Sequence, residues 1–360
     1  MLHISFTREE YSNNKSPYHK NKEVDCLNQT RKKIAPLLAV TLVLTMIFAG
    51  CGKSEEGSSS KTVVSSENPS QTARVATWKM PQTIQPNYYS QYLDGSREIK
   101  VSNFMSSSDQ LQALLNDDVD ACGMSLTAAI EAVADEKPVV IVCGMYEKGA
   151  ALVVGADSDI QEVADLKGKR IACQKDSTQY VQLLNLLKEN ELDAENDVTI
   201  QEASPENMET LLQNGEIDAY CGIEPYVSQA VSDGTVRILD TPYFDDDIGL
   251  TDTVLVTTRE NTERKNLMIK DLVKGQKMAT ETFQNDPDLW VSESAQQTGI
   301  DEDIIKASLD NLELDWEIDE DFVEQVEALC EKMTELGVIA ETPNDVWEFV
   351  DLSFVEYVNQ

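Results

Sequence analysis

Three groups of hydroxyl side chains stand where helical patterns begin. Ser106, Ser107 and Ser108 precede "DQLQALLND", Ser125 to Thr127 (with Leu126 between them) head "LTAAIEAVAD", and Ser177 and Thr178 precede "QYVQLLNLLKENEL". The first turn of a helix leaves backbone N–H groups without intrahelical acceptors, so such a start, with a hydroxyl beside it, binds an anionic or polar group. Ser and Thr also cap their own helices, and each residue is open to that second reading. The stretch "TWKMPQTIQPNYYSQY" (77–92) adds Trp78, Met80, Gln82 and Tyr88. An indole stacks on a flat ligand or packs in the core. Glu224 opens another helical run, where a carboxylate accepts hydrogen bonds from a ligand amine or simply complements the helix dipole.

The composition removes several chemistries. Both histidines, His3 and His19, lie before residue 51. The rest of the chain therefore has no Ser-His-Asp or Cys-His catalysis and no imidazole metal site. Beyond Cys51 remain Cys122, Cys143, Cys173, Cys221 and Cys330, an odd number with no CxxC pair, read as small buried apolar side chains rather than a zinc site or a disulfide framework. "YFDDDIG" (243–249) lacks EF-hand spacing and reads as a solvated loop. No nucleophile–base pair is evident, so an enzyme is not expected, nor any cofactor. Lys79 and Lys175 are isolated cations, which favours a neutral or mixed-charge small molecule over a bare multivalent anion.

Charge sharpens the picture. Residues 1–51 carry seven Lys/Arg against four Asp/Glu (+3), whereas the remainder carries 22 basic and 61 acidic groups (−39), for a net −36. A surface this acidic repels phosphate backbones and makes the chain no partner for nucleic acid. Arg31, Lys32 and Lys33 precede an uncharged, mostly apolar run from Ile34 to Gly50, the order of a secretory signal peptide, with a retained membrane span as the alternative. The Ser-rich stretch from Gly52 to Thr72 reads as a flexible tether.

Behind that tether the chain alternates strand and helix patterns, in two rounds. "RVATW", "EIKVSNF", "VDACGM" and the fully apolar "PVVIVCGMY" are the strands of the first round; "GKRIACQ", "DVTIQEA", "IDAYCGI" and "VRILD" are those of the second. Such alternation specifies parallel α/β sheets. "LLNDDVDACG" from Leu114 and "LLQNGEIDAYCG" from Leu211 are near copies, read as the same helix–turn–strand unit in two similar lobes, with Gly215 supplying a left-handed turn residue where Asp117 or Asp118 serves in the first copy. "SPENMETLLQNG" suggests a capping box on Ser204. "AALVVG" (150–155) and "TVLVTT" (253–258) fit neither round and are read as paired crossover strands at a hinge. From about Glu260 the pattern is mostly helical.

The stretch 158–200, with "ADLKGKRI", the turn through Ser177 and Thr178, and "LDAENDVTI", resembles the type II periplasmic-binding-protein fold, in its nitrate, sulfonate, taurine and thiamine-pyrimidine branch. The twin phrases, "IEPYVSQAV", "ENTERKNLMIKDLVKGQKMATE" and "ELGVI" extend the likeness over roughly 73–355. "FAGC" (48–51) resembles a lipoprotein lipobox, with Phe48 where Leu is usual, and implies lipidation of Cys51. The resemblance implies an α/β, two-lobed clamshell: extension and signal peptide 1–50, lipidated Cys and tether 51–72, first lobe 73–148, second lobe 149–258, and return with C-terminal helices 259–360. It further implies a monomeric, membrane-anchored, extracytoplasmic solute-binding protein that captures a small molecule and delivers it to ABC permease subunits. An enzyme or a sensor lipoprotein on the same fold is the alternative. Ligand contacts are then expected from the first loop (Trp78, Met80, Gln82), the three helix starts and Glu224.

Overall fold

A computed structural model of the protein describes residues 72–93, 97–245 and 247–360. The signal-peptide, lipobox and tether readings fall outside these residues. No helix among the described residues is long and apolar enough to cross a membrane.

The first round forms β1 (Ala73–Thr77), β2 (Ile99–Asn103), α1 (Ser107–Leu115), β3 (Ala121–Ser125), α2 (Leu126–Ala134) and β4 (Val139–Lys148). The second forms β5 (Ala150–Gly155), β6 (Arg170–Cys173), α3 (Thr178–Glu189), β7 (Thr199–Glu202), α4 (Pro205–Gln213), β8 (Ala219–Ile223), α5 (Tyr226–Ser232) and β9 (Val236–Asp240). The chain returns through β10 (Thr251–Thr258), α6 (Arg259–Arg264), α7 (Asn266–Asn285), α8 (Pro287–Thr298), α9 (Glu302–Ser308), β11 (Leu312–Glu313), α10 (Glu320–Glu335) and α11 (Ser353–Val358). Two sheets result, in the orders β11-β4-β10-β3-β1-β2 and β7-β6-β8-β5-β9.

Within each sheet the βαβ strands run one way, as βαβ crossovers require, and the strands that carry the chain between sheets run against them. β5 and β10 do not pair with each other, contrary to expectation. β5 lies between β8 and β9, and β10 lies between β3 and β4. The second crossing therefore occurs in 241–250, before β10, so 251–258 joins the first sheet rather than the second lobe. β5 is apolar throughout because helices cover both faces of its sheet. Leu152 and Val154 enter one core with Ile171, Leu183 and Leu187, and Ala151 and Val153 enter another with Met208, Tyr220 and Val227.

The repeated phrase has a shared mechanical role. In the first copy the turn residue is Asp117 (φ +57°), in the second Gly215 (φ +70°), both left-handed. Three residues later in each copy an aspartate clamps the strand beside it. Asp120 Oδ2 accepts the backbone N–H of Arg74 at 2.8 Å and its Nε–H at 3.1 Å. Asp218 Oδ2 accepts the same two groups of Arg170 at 2.8 and 3.0 Å. Asp120 is the deeper of the two and carries Lys265 as a second cation, at 2.7 Å. Burial works against its charge, yet the hydrogen bonds from Arg74 and Lys265 outweigh it and hold the carboxyl below its ordinary range.

The first loop is anchored from behind. Tyr89 lies against α7 where Gly275 leaves room: a Cβ there would come within 2.6 Å of the ring. The Tyr89 hydroxyl donates to Gln276 Oε1 at 2.7 Å. Tyr88 packs edge-on against Phe283 and donates to Glu293, so it belongs to the core and not to a ligand surface. Ser204 starts α4 but makes no capping bond to the helix backbone; its hydroxyl accepts from Asn207 Nδ2 at 2.8 Å, because an Asn at the third position reaches the hydroxyl itself.

The unequal depth of the two clamps gives a test. Asp120→Ala leaves Arg74 and Lys265 with only the exposed Asp117 carboxylate, and the loss of the buried charged hydrogen bonds is expected to lower unfolding stability by about 2 kcal/mol. Asp218→Ala, at the more exposed clamp, is expected to lower it by much less. Urea denaturation of the two variants reads the difference, and equal losses would refute the distinction.

Candidate functional site

The three predicted helix starts converge. Ser106 caps α1, its hydroxyl accepting from Asp109 N at 3.2 Å, and Ser125 caps α2, accepting from Ala128 N at 3.4 Å. Ser107 Oγ lies 3.3 Å from both the hydroxyl and the backbone N of Ser125. The third start arrives from the other sheet: Ser125 Oγ donates to the carbonyl of Asp176 at 3.1 Å. Asp176 also sends its carboxylate across, where Oδ2 accepts Ser108 N at 3.0 Å and Ser108 Oγ at 2.7 Å. The free N–H at the start of α1, expected to hold a ligand's polar group, is thus taken by a carboxylate of the protein. Ser177 turns inward, its hydroxyl donating to Gln174 O at 2.6 Å.

At the base of the seam the second sheet's α3 meets the crossing strand β10. Thr178 Oγ1 donates to the carbonyl of Asp252 at 2.9 Å, and Gln179 Nε2 donates to its carboxylate. Thr253 Oγ1 (2.9 Å) and Tyr146 also hydrogen-bond that carboxylate. All these partners are neutral. Burial pushes Asp252 up from 3.8 to about 6, and the hydrogen bonds offset only part of that cost. α3 shows a buried polar stripe, Thr178, Gln182 and Asn185, at helical spacing.

The first loop reaches the same seam through Gln82, which is wholly buried and donates from Nε2 to the Glu224 carbonyl at 2.8 Å. Glu224 precedes α5, and its Oε2 accepts Ser228 N at 3.0 Å while Oε1 accepts Asn311 Nδ2 at 2.6 Å. Burial raises its pKa, with those bonds acting in the other direction. Trp78 is buried over Gly123, where a Cβ would stand 3.2 Å from the ring, and beside Met145. Met80 is half-buried; its carbonyl accepts Thr83 N at 3.0 Å. Leu126 and Thr127 are buried at the head of α2.

The structure therefore gathers Ser107, Ser108, Ser125 and the turn before Ser177 at one point, and Gln82, Thr178 and Glu224 at another. Trp78 and Leu126 pack as apolar side chains, and Met80 Sδ accepts from Gln82 Nε2 at 3.8 Å. Sequence reasoning missed Asp176, Gln179, Tyr146 and Asp252. One signal was available: "TDTVLVTT" places an acid beside the apolar run "VLV" inside a strand pattern, which calls for a buried partner set. Several buried polar atoms have no partner, among them Gln82 Oε1, Thr127 Oγ1 and Gln182 Oε1. On either side of the Ser108–Asp176 contact lie cavities of about 420 Å³, lined by Met105, Gln174, Lys175 and Glu202, and about 190 Å³, lined by Leu111, Met124 and Glu131. Grooves of about 430 and 510 Å³ elsewhere, beside Trp347 and beside Ile160, bring no such convergence of buried polar atoms. Among the described residues no cluster of His, Cys, Asp or Glu is placed to hold a metal ion. The described cysteines are free and buried.

Asp252 makes stability pH-dependent in a defined direction. Its folded-state pKa lies above the unfolded value, so between about pH 4 and 6 the folded chain binds a proton that the unfolded chain does not. Its contribution is most favourable at acid pH and is lost as pH rises through about 6, by roughly 3 kcal/mol at full ionisation. Burial pushes Glu131 and Glu147 each up to about 7, which adds in the same direction. Asp252→Asn is expected to raise the thermal midpoint at pH 8 by more than at pH 4.5. A calorimetric pH series in which wild type and variant run parallel would show that Asp252 is not the group responsible.

An Escherichia coli (strain K12) protein named for binding aliphatic sulfonates is 26% identical over 164 residues, 46% of this chain and 50% of that protein, so the match spans about half the length of the curated relative. The alkanesulfonate-binding protein SsuA of Xanthomonas axonopodis pv. citri, solved bound to MOPS, superposes with a TM-score of 0.70 at 21% identity, covering 79% of this chain and 99% of that one. The periplasmic nitrate-binding protein NrtA of Synechocystis PCC 6803 gives a TM-score of 0.67 at 12% identity, with 81% and 89% covered. These likenesses show the two-lobed periplasmic-binding-protein fold. The model of the NMT1-like family matches residues 80–296, more than half of the sequence, and the chain belongs to that family.

Proposed function

We propose that the protein is an extracytoplasmic solute-binding protein, not an enzyme, that closes its two lobes around a small organic solute and presents the closed form to the permease subunits of an ABC importer. The observation that carries this reading is the seam itself. Hydrogen bonds from α3 and from the turn before it cross to α1, α2 and β10, and the seam retains orphaned polar atoms such as Gln82 Oε1. A buried polar atom without a partner is costly, and a solute between the lobes supplies one. Closure is favoured by ligand because only the closed state offers contacts from both sides at once. The names of the relatives, each a binding protein for a small solute, support the same class of function.

The amino-terminal segment completes the proposal. A signal peptide ending at Gly50, with Cys51 lipidated, would hold the protein at the outer face of the cell membrane through the Ser-rich tether. Each buried methylene contributes about 0.8 kcal/mol, so a multiply acylated cysteine anchors durably.

Two measurements test these statements. A thermal-shift screen against sulfonates, nitrate, pyrimidines, aromatic acids and amines is expected to yield a stabilising solute; at 100 times its Kd the gain is about 2.7 kcal/mol. Thr178→Val with Gln179→Ala removes the two bonds to Asp252, and should weaken binding about tenfold and enlarge the ligand-free radius of gyration measured by X-ray scattering. Unchanged affinity and radius would place the closing contacts elsewhere. For the anchor, Cys51→Ala is expected to move the protein from the membrane fraction and to abolish metabolic labelling with a radioactive fatty acid; a labelled variant would rule out Cys51.

A further inference from the structure

We infer that the solute carries positive charge, an organic ammonium or amidinium head with N–H donors, and that the seam rejects oxyanions; this rests on the solute-binding reading above and names its ligand class. Asp176, Glu131, Asp252 and Glu224 stand along the seam, and none takes part in any ion pair formed among the described residues. The lysines nearest the rim cavities, Lys175 and Lys137, are exposed. Every hydrogen-bond partner given for Asp252 and Glu224 is neutral: Tyr146, Thr253 and Gln179 for the first, Ser228 N and Asn311 for the second. Two desolvated carboxylates with no countercharge leave a field at the base of the seam that a cation lowers and an anion raises.

The second observation is the orientation of Gln82. Its amide nitrogen faces the Glu224 carbonyl at 2.8 Å, an atom that only accepts, so the network fixes which end is which. Gln82 Oε1 is then a wholly buried acceptor with no donor, on a side chain that also contacts Glu224 and Tyr146, the latter a partner of Asp252. An orphaned acceptor beside carboxylates calls for a donor, and an ammonium or amidinium N–H is a charged one. The third observation is the start of α1. Its N–H is the natural seat of an oxyanion, and the Asp176 carboxylate already occupies it from the opposite lobe, with Glu131 close behind. An anionic ligand would have to displace an internal anion and then face the remaining carboxylates.

The raised carboxyls supply a signature. Burial holds Asp252 at about 6, and a cation arriving beside it pulls it down, so binding near neutral pH releases protons. Asp135, Asp176, Glu147 and Glu202 are the other carboxylates facing this region, with Lys137, Lys148 and Lys175 as its cations.

The test uses full-length protein and matched probes on one carbon frame: propylammonium with propane-1-sulfonate, and benzylammonium with phenylmethanesulfonate. At least one ammonium is expected to raise the thermal midpoint dose-dependently, to bind at least tenfold more tightly than its sulfonate twin, and to release protons in titration calorimetry compared across buffers of different ionisation enthalpy. Asp252→Asn, a variant expected to be more stable at neutral pH, should nevertheless bind the ammonium about tenfold more weakly and release fewer protons; loss of affinity without loss of stability separates a binding role from a structural one. A sulfonate that binds more tightly than its ammonium twin overturns the inference while leaving solute binding intact. If no member of either pair binds and the wider screen is also silent, both the inference and the solute-binding reading fall.

Discussion

The structure turns on the fact that its two lobes meet through polar groups rather than through an apolar face. Val181 and Ile223 from the second lobe do enter the first lobe's core. Around them, however, lie Thr178, Gln179, Gln182, Ser125, Gln82 and buried carboxylates. An apolar interface is non-directional and adds stability in proportion to area. A polar one is directional, and each group must find a partner or incur a desolvation cost. The protein tolerates that cost where separation of the lobes would let water satisfy the same groups. The contacts between the lobes are thus ones that solvent or a solute can replace.

The rigid bodies on either side are secured differently. In each lobe an aspartate in the turn between helix and strand holds the backbone N–H and guanidinium of the arginine on the adjacent strand, Asp120 with Arg74 and Asp218 with Arg170. These clamps hold the amino ends of β3 and β8 in register with the neighbouring strand, and α2 and the Glu224 turn depart from the opposite ends of the same two strands. The site residues are therefore carried on elements locked within a lobe. The crossing strands follow the same arrangement. β5 and β10 each lie inside their own sheet and not at its edge, so the connections at Lys148–Gly149 and through 241–250 link two separately built sheets.

How much of this the sequence carried depends on the range of the interaction concerned. Strand and helix identity, the twofold alternation, the repeated phrase and the left-handed turn at Gly215 are local properties, set by side-chain periodicity and by backbone freedom within a few residues. They were legible. So were the helix starts at Ser106 and Ser125, because capping is local too, and the start at Ser177, whose hydroxyl bonds the preceding turn instead. The chemistry excluded by the missing histidines needed only composition.

What tertiary structure alone decided is which distant groups meet. Asp176 looks like an ordinary turn residue until α1, 68 positions earlier in the chain, places Ser108 against it. Gln82 and Glu224 are 142 positions apart. Tyr88 looked as eligible for a ligand as Gln82, and only the packing of α7 behind the first loop sent one inward to the core and the other to the seam. β10 was assigned to the wrong lobe because an apolar strand pattern reports burial on both faces and not the sheet that provides it. Periodicity encodes what a residue must be next to in kind. Which partner that is depends on loop closures and sheet order, and these are fixed by the free energy of the assembled core rather than by any single segment.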